Sequence, residues 1–347
     1  MNEHTGETKT MGIAEALREA IREEMQRDER VFCIGEDIGI PGGFGGAFTV
    51  TLGLSDEFGH ERILDTPISE AGIAGVAVGA ALMGMRPVAD VQYGDFLFCA
   101  MDQLVNQAAK MRYMSGGKVS VPLVMRAPCG ATTRAAQHSQ SPESFFIHVP
   151  GLKVACPCTA YDAKGLLKTA IRDDDPVLFF EHKLLYGSKG MRAEKDALSP
   201  VGEVPVADYT IPFGQGVIRR EGTDVTIVAK LLMVYKALAA AELLAAEGIS
   251  SEVIDPRTLV PFDTDLVVQS VRKTEHLVIV DECPRTGGWA AEVAAEIQEQ
   301  AFGYLDAPIK RVTAPDTPVP FAPVMERYYV PDENDIIRAV REVLRWR

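Results

Sequence analysis

The stretch Asp65-Thr-Pro-Ile-Ser-Glu-Ala-Gly-Ile-Ala-Gly-Val-Ala-Val-Gly79 joins a short strand pattern to a helix that is apolar on every side. Ser69 is a good N-cap, so Glu70 falls in the first turn of this helix. A helix with apolar residues all round is typical of a buried element. The apolar run at residues 71–85 is also too short to span a bilayer, which requires about 20 residues. The stretch therefore predicts a carboxylate at the mouth of a buried helix.

Glu70 has a structural and a chemical interpretation. As a structural residue it complements the helix dipole, which contributes about 0.3–1 kcal/mol at an exposed helix end. As a chemical residue it is an acid held at the start of a buried helix. The residues alone leave both interpretations open. Gly72, Gly75 and Gly79 lie at three- and four-residue spacing, and this flat stripe predicts close packing by another helix rather than a cofactor motif.

Outward from this stretch, helical and strand-like periods alternate. A helical pattern covers residues 13–25, a β-branched run covers 31–34, and a glycine-dense loop follows at 35–46. Further strand patterns lie at residues 62–65, 87–91, 121–125, 153–156 and 177–181, and further helical patterns at 71–85, 96–114 and 163–172. This alternation predicts an α/β fold with a doubly wound, mostly parallel sheet.

The periodicity stops at residues 183–216, where proline, glycine and charged residues dominate, as in a linker that crosses a surface. A smaller alternation of strands and helices follows and closes with a helix at residues 333–344. A chain of 347 residues is long enough for two domains. We therefore predict a disordered leader at 1–10, a first α/β domain at 11–182, a linker at 183–216, and a second α/β domain at 217–347.

Composition excludes several classes of partner. The chain has 47% hydrophobic residues, 24% charged residues and a formal net charge of −14. This acidity disfavours nucleic acid and anionic membranes, because both require a cationic surface. It suits a basic protein partner, or simply a well-solvated surface. The amino terminus has neither the apolar core of a secretory signal nor the arginine bias of a transit peptide, so we expect a cytoplasmic protein.

The six cysteines predict reduced core thiols rather than a metal site or a disulfide framework, because no C-x-x-C pair is present. Cys156 and Cys158 are the closest pair, and they lack histidines or further cysteines at ligand spacing. The chain also contains no P-loop, no dinucleotide-binding glycine motif, no nucleophile elbow and no H-E-x-x-H helix. Nucleotide cofactors are therefore not predicted.

A second polar constellation lies beyond the strand pattern that ends at Arg126. A loop with glycine and threonine carries His138, within the segment Gln137-His-Ser-Gln-Ser-Pro-Glu143. Open α/β sheets bind ligands beyond the carboxyl ends of their strands, and His138 is predicted to lie there. It is then either a general acid or base, or only a hydrogen-bonding loop residue.

These constellations, in this order, resemble the β subunits of pyruvate and branched-chain 2-oxo acid dehydrogenases. The resemblance covers nearly the whole chain from about residue 10, and its segments are 35–39, 65–72, 94–96, 102–110, 137–143, 255–259 and 305–312. It implies a pyrimidine-binding domain for thiamine diphosphate, followed by a smaller α/β domain of the transketolase C-terminal type.

The resemblance also implies roles for individual residues. The glutamate matching Glu70 hydrogen-bonds N1′ of the cofactor aminopyrimidine, and Phe96 matches an aromatic position at the same ring. His138 matches an active-site histidine that assists acyl transfer to a lipoyl arm. Glu36 matches an acid of a polar tunnel that links two active sites. A structural potassium ion, in this family, would use Leu123, Ala170, Asp173 and Asp175.

Two departures from the family pattern carry consequences. The Gly-Asp-Gly motif with a downstream Asn, which binds magnesium and diphosphate, is absent, because Gly94-Asp95 continues into Phe96. Magnesium is then expected to bind through an α subunit, in an α2β2 heterotetramer that serves a lipoyl acyltransferase core. Lys230-Leu231-Leu232 replaces the usual Tyr-Gly or Ser turn after a strand, so the resemblance does not predict the conformation of this turn.

The leading hypothesis is decarboxylation of a 2-oxo acid, either pyruvate or a branched-chain acid, followed by reductive acylation of lipoamide. Acetoin dehydrogenase β subunits and the carboxyl-terminal halves of split transketolases share the same domains and are the enzymatic alternatives. The non-enzymatic alternative is a docking or scaffold subunit.

Overall fold

The computed structural model describes residues 6–40, 42–43, 45–186, 198 and 200–346 of the chain. In chain order, its strands are β1 (Thr8–Gly12), β2 (Val31–Gly35), β3 (Ile63–Asp65), β4 (Arg86–Asp90), β5 (Val124–Cys129), β6 (Lys153–Ala155), β7 (Val177–His182), β8 (Val201–Pro205), β9 (Val217–Arg220), β10 (Val225–Ala229), β11 (Ser251–Asp255), β12 (Thr258–Val260), β13 (Leu277–Pro284) and β14 (Lys310–Ala314).

The α-helices are α1 (Ile13–Arg27), α2 (Leu54–Phe58), α3 (Glu70–Leu82), α4 (Ala109–Met114), α5 (Glu143–Ile147), α6 (Ala160–Arg172), α7 (Leu232–Ala245), α8 (Thr264–Thr274), α9 (Trp289–Ala301), α10 (Pro323–Tyr329) and α11 (Glu333–Leu344). Shorter helical turns of the 3-10 type cover Gly94–Ala100, Lys183–Leu185 and Phe302–Tyr304, and a π-helix covers Asp102–Ala108.

The first sheet has the strand order β12-β6-β7-β5-β4-β2-β3. All neighbours are parallel except β12, which pairs antiparallel with β6. Strands β5 and β7 are buried along their whole length, as expected of central strands covered on both faces. The carboxyl ends of β2, β3, β4, β5 and β7 therefore meet at one edge of the sheet.

The second sheet has the order β14-β13-β10-β11-β9 and is parallel except for its edge strand β9. Its fully buried strand β10 reads Val-Thr-Ile-Val-Ala, the β-branched composition of a two-sided core. The predicted α/β class, with mostly parallel sheets and a second α/β unit, is confirmed. Strand β12 was not predicted: it follows β11 of the second sheet, belongs to the first sheet and joins the two units.

Helix α3 begins as predicted and differs in its burial. Ser69 Oγ accepts a hydrogen bond from Gly72 N at 3.3 Å, and Glu70 is the first helical residue. Ile73 and Ala77 pack in the core, but Val76 is 55% exposed. The expectation of a helix buried all round is therefore wrong for this chain by itself. The glycine stripe is covered by a helix only in part: a Cβ at Gly75 would lie 3.7 Å from Gln103 of the π-helix, whereas a Cβ at Gly79 would meet nothing within 4 Å.

The predicted leader and linker contain structure. Strand β1 pairs antiparallel with β8, and the hydroxyls of Thr8 and Thr10 both donate to the Glu203 carboxylate. The end of the predicted leader and the middle of the predicted linker thus form a two-stranded sheet, which the polar composition of both segments concealed. Lys183, the first residue of the predicted linker, is buried. Residues 1–5, 187–197 and 199 of these two segments lie outside the described residues.

Two smaller differences concern local geometry. The helix predicted at 96–114 is divided into 3-10, π and α segments, and the strand predicted at 121–125 continues to Cys129 as β5. The turn at Lys230-Leu231-Leu232 places Leu231 at a φ of +51°, a conformation that favours glycine. Within the described residues, none of the helices is long and apolar enough to cross a membrane.

Candidate active site

The predicted site residues follow neighbouring strands of the first sheet. Glu36 follows β2, Glu70 follows β3 through a four-residue connection, Phe96 follows β4, and His138 follows β5. Lys183 follows β7 at the same edge. Because ligands of open α/β sheets bind beyond the carboxyl ends of the strands, the fold gathers these side chains where a ligand is expected.

One side of the site is acidic. Partial burial raises the pKa of Glu36, and the nearby carboxylates of Asp37 and Glu70 raise it further. Glu36 and Glu70 are therefore within electrostatic reach of each other. Burial also raises the pKa of Asp90, at the end of β4, to about 6, even though the Arg126 guanidinium acts to lower it. A carboxyl group with a pKa of about 6, such as that of Asp90, exchanges protons close to neutral pH.

A buried ion-pair network supports this acidic side. Arg126 Nε and Nη2 donate to the two carboxylate oxygens of Glu181 at 2.9 and 2.6 Å. Arg126 also pairs with Asp90, and the Tyr186 hydroxyl donates to Glu181. Phe48 stacks on Tyr186 with ring centroids 4.6 Å apart. The bidentate geometry holds the guanidinium in one orientation beside Asp90.

The other side of the site is aromatic and carries the histidine. The His138 imidazole lies edge-on to the rings of Tyr93 and Phe96, with centroids 4.8 and 5.3 Å apart. Lys183 Nζ donates to the His138 carbonyl and lies 4.9 Å from the Tyr93 ring centroid. The structure thus brings Phe96 and His138 together. Tyr93 and Lys183 complete this aromatic cluster.

Asp95 is bound to Gln140 through one carboxylate oxygen, and its Oδ2 is buried without a hydrogen-bond partner among the described residues. Its Oδ1 accepts hydrogen bonds from Gln140 N at 3.2 Å and from Gln140 Nε2 at 2.8 Å. The side chain is buried and ties the segment after β4 to the segment after His138. The residues present fit the pyrimidine end of thiamine diphosphate, through the acid Glu70 and the ring of Phe96, but they do not fit its magnesium and diphosphate.

The loop of residues 130–140, called here the His138 loop, is held by two carboxylates of the second domain. Glu282 Oε1 accepts from Ala131 N at 2.6 Å, and its Oε2 lies 2.8 Å from His182 Nε2. Burial raises the pKa of Glu282, but His182, the Ala131 N–H donor and Lys230 together outweigh burial and lower the pKa to about 2. Glu326 Oε2 accepts from Thr133 N at 2.6 Å.

A buried cation lies behind the His138 loop. Lys230 Nζ is 3.2 Å from Glu143 Oε1 and 3.1 Å from Asp281 Oδ1, and all three side chains are at most 1% exposed. Although burial lowers the pKa of Lys230, the two carboxylates raise it well above its ordinary value. The departure from the family turn thus places a charged group between the two domains. Its partners compensate the cost of burial.

The four residues predicted for potassium also lie together. The Leu123 carbonyl accepts from Val177 N at 2.8 Å, and the Ala170 carbonyl accepts from Asp173 N at 3.3 Å. Lys153 Nζ lies 2.7 Å from Asp173 and 3.2 Å from Asp175. An ammonium group therefore already neutralises both carboxylates, and the potassium site stays a prediction.

The cysteines are all free, and Cys99 is exposed whereas the other five are buried. Cys158 lies close to two carboxylates, and the ligand atoms of Cys158, Asp162 and Asp255 are within 4.8 Å of one another. Both carboxylates are paired with guanidinium groups: Arg219 with Asp255 at 2.6 Å and Arg257 with Asp162 at 2.7 Å. This cluster is an ion-pair network between the domains.

Comparison with known proteins identifies both domains. The pyrimidine-binding domain of transketolase matches residues 9–189, and the transketolase C-terminal domain matches residues 214–336. The 2-oxoisovalerate dehydrogenase subunit beta of Bacillus subtilis is 46% identical, covering 96% of this chain and 98% of its own. The pyruvate dehydrogenase E1 subunit beta of Rickettsia felis is 47% identical, covering 95% and 97%.

The chain belongs to the β subunits of the thiamine-diphosphate-dependent 2-oxo acid dehydrogenases. An acetoin:2,6-dichlorophenolindophenol oxidoreductase subunit beta, from Cupriavidus necator, is 48% identical over 97% of this chain and 98% of its own. A solved split-gene transketolase, described as an inactive beta4 tetramer, matches with a TM-score of 0.74 at 25% identity, covering 97% of this chain and 99% of that one. A β subunit of this family acts together with an α subunit.

Several residues of this β subunit were missed by the sequence reasoning. Three of them lie at the same sheet edge as Glu36 and Glu70, at or just after the end of a strand: Asp90, Tyr93 and Lys183. Their position relative to the predicted strands could have identified them from the sequence. Glu282 and Glu326 gave no such signal, because their contacts to the His138 loop join residues more than 150 positions apart in sequence.

Proposed function

We propose that this β subunit, with its α partner, decarboxylates a 2-oxo acid on thiamine diphosphate and transfers the acyl group to lipoamide. The observation that carries the proposal is Glu70, capped into the first turn of α3 at the sheet edge and within electrostatic reach of Glu36. When bound, thiamine diphosphate supplies a nucleophilic carbon and an electron sink for decarboxylation.

The residues of this chain supply binding, orientation and proton transfer. Glu70 would hold the aminopyrimidine by a hydrogen bond and exchange a proton with it, and Phe96 would offer its ring to the same group. His138 acts as acid or base during acyl transfer, oriented by Tyr93 and Phe96. Glu36 and Asp90, with raised pKa values, carry protons toward a second site.

The α subunit supplies what this chain does not. Because Gly94-Asp95 continues into Phe96 and the chain lacks the Gly-Asp-Gly motif, carboxylate and carbonyl oxygens of the partner would hold magnesium and diphosphate. An α2β2 assembly follows as the simplest closed arrangement, with a lipoyl acyltransferase core as acyl acceptor. The exposed apolar residues Val76 of α3 and Met83, which follows that helix, form a surface that such an assembly would cover.

The test is Glu70→Gln in the reconstituted αβ complex. Decarboxylation falls by about 100-fold or more, because general acid–base groups contribute about 10² to 10⁴. The complex still assembles, as measured by gel filtration with light scattering. Glu61→Gln, an exposed glutamate just before β3, is the matched control and retains full activity. Decarboxylation within a few fold of wild type in an assembled Glu70→Gln complex would support the scaffold alternative instead.

Acetoin cleavage is the second candidate, because a β subunit of an acetoin oxidoreductase is as similar to this chain as the 2-oxo acid relatives are. The wild-type αβ complex is assayed with pyruvate, 3-methyl-2-oxobutanoate and acetoin under the same conditions. Turnover of either 2-oxo acid supports the first proposal, and turnover of acetoin alone refutes it.

A further inference from the structure

The His138 loop has a conformation that its own sequence does not favour. Gly130, Thr133 and Ala135 have φ angles of +92°, +59° and +64°, so two residues with side chains adopt the left-handed region. Each such residue is unfavourable on its own and persists where its surroundings fix it. The loop therefore depends on external contacts.

Those contacts come from both domains. At the base of the loop, Gly130 N donates to the Gln140 carbonyl at 2.9 Å. In the middle, Glu326 of α10 accepts from Thr133 N at 2.6 Å and from Thr133 Oγ1 at 3.3 Å. His138 N then donates to the Ala135 carbonyl at 3.4 Å, which closes the turn that carries the imidazole. A chain of contacts thus leads from Glu326 through Thr133 to His138.

We propose that Glu326, from the second domain, is a positioning residue that sets the place of the His138 imidazole for acyl transfer. It touches no reacting atom and acts through the backbone of the His138 loop. Glu282, which accepts from Ala131 N, fixes the start of the same loop. The inference rests on the role proposed for His138. It makes the second domain part of the active site.

Glu326 is the better residue to test, because it is only partly buried, whereas Glu282 belongs to a fully buried ion pair whose loss endangers folding. Glu326→Ala removes the acceptor, and Glu326→Gln keeps an acceptor oxygen. Arg327→Ala, an exposed change on the same helix, is the control.

In the reconstituted αβ complex, Glu326→Ala lowers kcat for lipoamide acylation by about 10-fold, with the KM of the 2-oxo acid within about 2-fold. Glu326→Gln restores kcat to within about 3-fold of wild type, and Arg327→Ala leaves it unchanged. In a His138→Ala background, adding Glu326→Ala changes the residual rate by less than about 2-fold, because the group it positions is gone.

An equal loss of rate from Glu326→Ala in both backgrounds would overturn the inference, since Glu326 would then act independently of His138. Hydrogen–deuterium exchange of the peptide covering residues 130–140 gives a separate readout, and it is expected to be faster in Glu326→Ala. Unchanged exchange also overturns the inference. His138→Ala is also compared on its own. If it leaves acylation unaffected while Glu326→Ala speeds exchange of residues 130–140, then Glu326 anchors the His138 loop and the proposed catalytic role of His138 is refuted.

Discussion

Gly130 and Gly84 show how differently two glycines with the same backbone torsion are constrained. Their φ angles are +92° and +94°. A Cβ at Gly84 would meet nothing within 4 Å, whereas a Cβ at Gly130 would lie 2.0 Å from His182 Nε2. His182 cannot move aside easily, because it is buried and paired with Glu282. Glycine is therefore required at position 130 both because His182 leaves no room for a Cβ and because the φ angle is positive.

A pair of alanine substitutions separates these two effects. Gly84→Ala is expected to lower the free energy of unfolding by about 1–2 kcal/mol, the cost of the torsion alone. Gly130→Ala is expected to lower it by about 3 kcal/mol or more, because overpacking against His182 adds to the torsion. Urea denaturation of both variants measures the difference. Equal losses would show that His182 yields to the added methyl group.

The buried pair of Glu282 and His182 predicts a dependence of stability on pH. The pKa of Glu282 falls to about 2 in the folded chain, below its unfolded value of about 4.3. A depressed pKa stabilises the folded state above the unfolded pKa, and this contribution is lost as the pH falls toward about 2. Glu282→Gln should therefore cost on the order of 3 kcal/mol at pH 7.

The measurement compares the unfolding free energies of wild type and Glu282→Gln at pH 7, 5 and 4. The difference is expected to be largest at pH 7 and to shrink below about pH 5. Glu299→Gln, on the exposed side of α9, changes stability by no more than about 0.5 kcal/mol at every pH. A difference that stays constant down to pH 4 would contradict the assigned pKa.

At the residue scale, the sequence predicts those roles that depend only on neighbouring residues. Ser69 and Glu70 were predicted correctly as cap and first turn, because capping needs only adjacent residues. Lys230 was not identified as a buried cation, because its compensating carboxylates, Glu143 and Asp281, come from different segments. Charge pairs across a fold leave no period in the sequence. The roles of Glu70, His138, Phe96 and Glu36 stay predictions.

At the scale of elements, strands β1 and β8 carry a prediction about the segment expected to be a leader. Deleting residues 1–10 removes the backbone partners of Glu203, Val204 and Pro205 in β8. Losing a few backbone hydrogen bonds costs about 1 kcal/mol or more, which lowers the Tm by about 1–2 °C per kcal/mol for a chain of 347 residues. Differential scanning fluorimetry measures the shift. Val201→Thr, an exposed change on β8, is the control, and an unchanged Tm after deletion would restore the leader interpretation.

Elements with strong periods were predicted well, and the others were not. Helix α6 and strand β7 match their patterns because amphipathic and β-branched periods are intrinsic to them. The helix expected at 96–114 is interrupted by a π-helical segment, which side-chain periodicity does not reveal. Strand β12 has three residues and gains its place only by pairing with β6 of the other domain. Tertiary context decided both cases.

At the scale of the molecule, interdomain contacts predict one cooperative unfolding transition. The two domains share strand pairing between β12 and β6, the ion pairs of Asp162 with Arg219 and Arg257, and the carboxylates that hold the His138 loop. Because these contacts are buried or multiple, neither domain should unfold alone.

Two probes test this prediction. The only tryptophans of the chain, Trp289 and Trp346, lie in the second domain, so their fluorescence reports that domain, whereas far-UV circular dichroism reports both. Coincident thermal midpoints are expected for a two-state transition. A fluorescence midpoint several degrees below the dichroism midpoint would show that the second domain melts separately.

Strand β12 also limits how pieces of related chains can be recombined. A chimera joined at residue 216 would take the edge strand of the amino-terminal sheet from one parent and its neighbour β6 from the other. It would likewise separate Thr133 from the parent that supplies Glu326. Recombination between related genes at residue 216 is therefore constrained by contacts between the two domains. Functional hybrids are expected where both parents have the same residues at Thr258–Val260, Glu282 and Glu326.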